Sequence, residues 1–217
     1  MKPLIYFSAG LNRSASTWLY NAMRLMLEAK YPGEVYGSLP GIYRPDDLRR
    51  IHLIKIHQRT EGAGMEPVFT ATSHRNLIDV FRSLYRMGWA KMADVEAVRL
   101  MDNIVADHEH WSARADYEFA YEDFVAEPMG VLHSLHAGMK LGLRDGDLAR
   151  ILSELKEISS QEIVLAEGDV FHPLTFLHRK HISRPGEAQP QIPTAIEYLL
   201  MKRYADWLKS HGYEAAV

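Results

Sequence analysis

Residues 6–19, Tyr-Phe-Ser-Ala-Gly-Leu-Asn-Arg-Ser-Ala-Ser-Thr-Trp-Leu, constrain this chain more than any other stretch. They pass from an apolar strand through small and hydroxyl residues directly into an amphipathic helix, whose apolar face repeats as Leu19, Ala22, Met23, Met26 and Leu27. Backbone N–H groups in the first turn of a helix have no intrahelical acceptor, and together with the helix dipole they make a site for an anion. The layout is that of a phosphate cradle, with Ser14 or Ser16 available to cap the helix.

Set against the P-loop pattern G-x-x-x-x-G-K-[ST], Gly10 and Thr17 are in register, whereas Ala15 stands in place of the second glycine and Ser16 in place of the lysine. The cation here is Arg13, which precedes the tight turn. That displacement points to a phosphate ligand other than a Mg-bound triphosphate.

The rest of the chain alternates strand and helix signals. Residues 4–8 read as a buried strand, and the first helix stops near Pro32-Gly33. Residues 31–45 read as a loop rich in glycine, proline and tyrosine, either lining an acceptor pocket or simply presenting tyrosines at the surface. A short helix is expected from Pro45, then a second strand over residues 51–57 with Lys55 and His57 on one face. In open parallel sheets ligands bind beyond the carboxyl ends of strands, where His57 belongs; a solvated edge strand is the alternative.

A third strand is expected over residues 68–72. After a turn capped by Asn76, a helix follows over residues 77–87 with Leu77, Val80, Phe81, Leu84 and Tyr85 on its apolar face. Arg75 and Ser83 either reach one anion or belong to a polar face. Residues 92–115 read as a long helix with Val95, Val98, Met101, Ile104 and Val105 inward. His108 and His110 lie two apart on it and do not face each other, and there is no H-E-x-x-H, so no metal site is expected here.

A fourth strand is expected at residues 117–121, followed by helices from Pro128 and near residues 148–158; residues 159–162 read as the start of a further turn of helix. Residues 167–191 read as a loop carrying a basic cluster, and Pro193 opens a last helix with Ile196, Leu200, Tyr204, Trp207 and Leu208 buried. The order implies an α/β fold in three layers, a central mostly parallel sheet flanked by helices, built as one domain over residues 1–217.

A net charge of -3 argues against a nucleic-acid surface, so any anion site is local. The absence of cysteine excludes thiolate metal sites and fits a reducing compartment, and no run has the length of a signal core or membrane span; a cytoplasmic location is the expectation.

Taken together, the motifs resemble those of the sulfotransferase family, which uses 3'-phosphoadenosine 5'-phosphosulfate (PAPS) and releases PAP. The family's P-K-S-G-T-T-W-L loop resembles residues 12–19, K-x-H resembles Lys55-Ile56-His57, and Y-E-D resembles Tyr121-Glu122-Asp123. The 3'-phosphate element R-N-x-x-D-x-x-x-S is matched at every named position from Arg75 to Ser83. The T-S-F-Q-E stretch is matched in part by residues 158–162, and the R-K-G-x-x-G-D-W flap only by Arg179-Lys180.

The resemblance implies that Arg13, Ser14, Ala15, Ser16, Thr17 and Trp18 hold the 5'-phosphosulfate and neighbouring adenine. It assigns the 3'-phosphate to Arg75 and Ser83, with either Arg179 and Lys180 or Ser183 and Arg184 as further contacts, adds Ser159 to the cofactor site, and sets Tyr121 by the purine. His57 becomes the general base, and Lys55 and Arg13 share the charge of the leaving phosphate. No metal is called for, since these cations take the part Mg²⁺ plays in nucleotide kinases. The expected acceptor is a hydroxyl or amine of a small molecule or glycan. A P-loop kinase and a non-catalytic nucleotide-binding protein of the same fold remain the alternatives.

Overall fold

The computed structural model describes residues 2–91, 93–160, 165, 169–178 and 190–213. Five strands, β1 (Leu4–Ser8), β2 (Val35–Ser38), β3 (Ile51–Lys55), β4 (Phe69–His74) and β5 (Tyr117–Ala120), form a sheet ordered β2-β3-β1-β4-β5. Every neighbouring pair is parallel. Such a sheet buries both faces, which is why β1 is apolar up to Ser8 and every residue of β3, His52 and Lys55 included, is buried instead of alternating with exposed ones.

Side chains of β1 divide by parity. Tyr6 joins Leu53 and Phe69 against α1 (Ser16–Lys30), α5 (Pro128–Met139) and α6 (Asp145–Ser160), in a core that includes Leu19, Met23, Leu27, Leu132, Leu135, Ile151 and Leu155. Ile5 and Phe7 face the other way, with Ile54 and Ile56, onto Trp111 of α3 (Asp94–Ser112). Beyond them α3 packs with α2 (Leu77–Met87), α7 (Thr194–Arg203) and α8 (Ala205–Ser210) around Phe81, Met101, Ile196 and Trp207. The result is the three-layer α/β arrangement that the order of elements implies.

Several local expectations are corrected. The 31–45 segment contains β2 and a 3₁₀ turn at Pro40–Ile42. Its glycines hide a strand: a Cβ at Gly37 would stand 2.0 Å from the Tyr20 hydroxyl, so glycine is there to let Tyr20 pack under the sheet edge. Residues 45–50 form turns and bends instead of a helix, held by an Arg49–Asp47 ion pair at 2.6 Å with Leu48 in solvent. Strand β3 stops at Lys55, so His57 lies beyond it; β4 runs on through Ser73 and His74. Tyr121 starts α4 (Tyr121–Ala126) instead of ending β5.

Val95 is exposed on the first turn of α3. Ser159 and Ser160 end α6 instead of opening another helix. The last helix breaks at Tyr204 into α7 and α8, though all five of its apolar residues are buried as expected. No helix among the described residues is long and apolar enough to cross a membrane.

Candidate anion site

The loop between β1 and α1 crosses the carboxyl ends of β1 and β4. Its backbone is left-handed at Arg13 (φ 68°) and at Ala15 (φ 65°), a region that L side chains enter at a cost of roughly 1–2 kcal/mol per residue. Left-handed Ala15 next to helical Ser16 turns successive N–H groups toward one point, the backbone arrangement that binds anions. Ala15 is also the N-cap of α1, and no side chain caps the helix, contrary to the expectation for Ser14 or Ser16. The first turn therefore keeps its donors for an external acceptor.

Ser14 does something else. Its hydroxyl donates to Leu11 O at 2.6 Å, lies 3.0 Å from Ser73 O and 2.8 Å from Ser73 Oγ, and its N–H also bonds Leu11 O. It clamps the loop onto β4 and has little left for a ligand. Gly10 is required by the same contact, since a Cβ there would stand 2.5 Å from Ser73 Oγ.

Lys55, paired across the sheet with Ser8, is buried and donates from Nζ to Thr17 Oγ1 at 2.9 Å. Burial, and after it the charge of Arg13, pulls the Lys55 ammonium down to about 8. His57 is half-buried, and its Nδ1 lies 2.7 Å from Gly10 O. A carbonyl only accepts, so Nδ1 carries the proton and Nε2 keeps its lone pair. Desolvation, and then the Lys55 charge, hold the imidazole down to about 3 against the opposing pull of the Gly10 bond, so it is neutral at neutral pH. The turn is fixed by Glu61, whose Oε2 accepts from His57 N at 2.6 Å and Gln58 N at 2.9 Å.

A second cluster lies where α2 begins. Asn76 caps α2 by accepting from Ile78 N at 2.9 Å, which sets Arg75 at the strand end. The Arg75 guanidinium sits 4.1 Å over the Tyr121 ring, donates to Arg13 O at 3.4 Å and lies 3.9 Å from Asp79. Its buried Nε finds no partner among the described residues. Arg13 Nε donates to Ser83 Oγ at 2.9 Å, so the loop cation and the last residue of the Arg75–Ser83 motif are in contact. Burial, then Arg86 and Arg75, bring Arg13 down to about 10. Trp18 adds an apolar wall with Phe124 at 4.7 Å and Phe119 at 5.9 Å between ring centroids.

The structure thus gathers Arg13, Ala15, Ser16, Thr17, Lys55 and His57 around one loop, and Arg75, Ser83 and Tyr121 beside it. Ser159 is not drawn in by any contact to these; its hydroxyl bonds Leu155 O at 2.8 Å within α6. Arg179, Lys180, Ser183 and Arg184, with residues 161–162, lie outside the described residues. Sequence reasoning missed Ser73 and Glu61. Ser73 carries no local signal, because only the fold brings it to Ser14, whereas Glu61 acts within its own turn on the backbone of His57 and Gln58.

The sequence matches no family model and no curated protein. Solved structures are more informative. The chain superposes on a mouse sulfotransferase, SULT7A1, complexed with PAP, at a TM-score of 0.63 and 14% identity, covering 96% of this chain and 84% of that one. It superposes on a retinol dehydratase in complex with androsterone and inactive cofactor PAP at a TM-score of 0.59 and 15% identity, covering 100% of this chain and 84% of that one. The protein has the sulfotransferase fold.

Proposed function

We propose that this protein transfers a sulfuryl group from PAPS to a hydroxyl or amine of a small-molecule or glycan acceptor. The reading rests above all on one observation: His57 Nδ1 is tied to Gly10 O, which leaves the lone pair of Nε2 unprotonated on a ring within the field of Lys55, itself bonded to Thr17 in the first turn of α1. The two solved structures of this fold, both holding PAP, support the choice of donor.

In this scheme the first-turn N–H groups of α1, Thr17 and Lys55 hold the phosphosulfate. The acceptor oxygen or nitrogen attacks sulfur in line and its proton passes to His57 Nε2. The bond from sulfur to the bridging oxygen breaks, and its electron pair leaves with PAP. Sulfuryl transfer asks the protein mainly to position reactants and to stabilise charge on the leaving phosphate, which is the work of Lys55 with the helix N-terminus. Arg75 and Ser83 take the 3'-phosphate, and Arg13, expected from the sequence on the 5'-phosphosulfate, joins them because its Nε is turned to Ser83, while Tyr121 and Trp18 flank the purine. Arg179, Lys180 and Arg184 complete the donor site. A pKa of about 3 makes His57 a weak base in the free protein. An arriving dianion opposes the Lys55 charge that depresses it, so basicity rises when donor binds.

Calorimetric titration with PAP, followed by ATP with Mg²⁺, tests the reading. PAP is expected to bind and ATP–Mg²⁺ to bind far more weakly; tight ATP–Mg²⁺ binding without PAP binding would make the protein a nucleotide kinase or NTPase instead. Turnover of labelled PAPS with a metabolite extract then distinguishes an enzyme from a non-catalytic nucleotide binder.

A further inference from the structure

On the far side of β4 and β5 the fold assembles imidazoles that have no part in the scheme above. His108 from α3, Glu118 from β5 and His211 just past α8 each bring one potential ligand atom, all within 4.8 Å of one another. His74 flanks them, its ring centroid 4.8 Å from that of His211. We propose that His108, Glu118 and His211 form a site for one divalent transition-metal ion, which ties the end of the α7–α8 pair to the sheet.

The hydrogen bonds around the three residues carry the argument. His211 Nδ1 lies 2.8 Å from Trp207 O, so that nitrogen donates and Nε2 keeps a lone pair. Its ring is stacked on Trp207 at 3.8 Å, which sets its plane. Glu118 Oε2 accepts from Ser112 Oγ at 2.6 Å, and Oε1 lies 2.8 Å from His108 Nε2. His108 is buried, and its Nδ1 has no partner among the described residues, so this imidazole is incompletely satisfied. Ligands oriented by a backbone carbonyl and by a hydroxyl are the usual outer support of a metal site. Two imidazoles and one carboxylate suit Zn²⁺, with the fourth position left to water.

The 2.8 Å edge from His108 to Glu118 is shorter than the ~3.3 Å ligand–ligand edge of a tetrahedron built on bonds of about 2.0–2.2 Å, and 4.8 Å is longer. An ion bound there takes the Nε2 lone pair of His108 in place of the hydrogen bond to Glu118, the ring proton moving to Nδ1, and His211, the more exposed imidazole, swings inward. Spacing along α3 could not show this, because His108 meets its partners from β5 and the chain terminus, and His110 takes no part.

The test uses untagged full-length protein stripped with a chelator and dialysed into metal-free buffer. Titration with ZnCl₂ is expected to show one equivalent bound, and Co²⁺ to give visible absorption of a four- or five-coordinate ion. Affinity should survive in His133→Gln, an exposed histidine on α5, and fall in His211→Gln by more than the ~10- to 100-fold lost with an outer-shell partner. Zn²⁺ should raise the melting temperature of the parent protein and not of His211→Gln, by mass action on the folded state. Equal affinities in the parent and His211→Gln, or no saturable binding to the parent, would overturn the proposal.

Discussion

The two halves of the anion site hold their charge in opposite ways. Around His57 and Lys55 each side chain is anchored by one bond inside the protein: Lys55 rests on Thr17 and His57 on Gly10, and burial pulls the pKa of both down. Around Arg75 guanidinium charge is concentrated: Arg13 is close enough to be depressed by Arg86 and Arg75, and Asp79 lies 3.9 Å from Arg75. In the proposed scheme the first half changes charge during the reaction, and the second binds a fixed charge, since a guanidinium stays protonated at neutral pH. Substitutions in the first half should therefore act on turnover and its pH dependence, and those in the second on affinity.

The sharpest way to break this contrast is His57→Ala. General-base catalysis contributes about 10²- to 10⁴-fold, so turnover should fall by that order while calorimetric PAP affinity changes little. Unchanged turnover would remove His57 from the reaction; a collapse of PAP binding would erase the division between the halves.

Arg75→Ala is the complementary change. It removes a charge-assisted contact to phosphate and a cation stacked at 4.1 Å on Tyr121, and should weaken PAP binding by ~2–4 kcal/mol. Saturating donor should restore most of the turnover. If turnover at saturation fell as far as in His57→Ala, Arg75 would belong to the chemical half.

The pH dependence sharpens the comparison further. Lys55 titrates near 8 in the free protein, below its ordinary 10.5, because burial and Arg13 disfavour its charge. Bound phosphate favours the charged form, so binding takes up a proton between about pH 8 and the higher pKa of the complex, and PAP affinity falls as pH rises through that window. His57, held near 3, gives kcat/KM no acid limb around 6.5. Calorimetry in buffers of different ionisation enthalpy measures the proton uptake, and Lys55→Met should abolish it. An acid limb at 6.5 that disappears in His57→Gln would show His57 exposed to solvent instead.

How much of this was legible beforehand follows the range of the interactions. Periodicity found β1, α2 and the buried faces of α1, α5 and α6, because those patterns are local. Arg75, Asn76 and Ser83 could be read together because a strand end, a cap and a helical turn lie within one short segment. The edge strand β2 was hidden by Gly37, which serves Tyr20 from another element. The contact between Arg13 and Ser83, and the clamp from Ser14 to Ser73, join residues far apart in the chain. No spacing rule reaches them. Even the roles shift: Ser14 looks like a ligand donor in the motif, and in the fold its hydroxyl locks the loop.

Ala15 gives the smallest expected effect and bears on both halves. It stands where the P-loop pattern has glycine, yet adopts the left-handed conformation that glycine would supply freely, φ 65° and ψ 23°. The loop geometry is therefore imposed on alanine by its surroundings: Ser14 is pinned to β4 on one side, and α1 is packed into the core on the other. Ala15→Gly should relieve part of the ~1–2 kcal/mol left-handed penalty. It also gives up the packing of a methyl against the core that includes Leu19 and frees the unfolded chain, so the net gain in stability should be under about 1 kcal/mol. PAP affinity should be unchanged, because the N–H groups of the first turn point the same way with or without the methyl. Denaturant unfolding and a PAP titration on the same variant separate the two quantities. Loss of PAP affinity with stability unchanged would mean that the alanine methyl, and not the backbone alone, shapes the cradle.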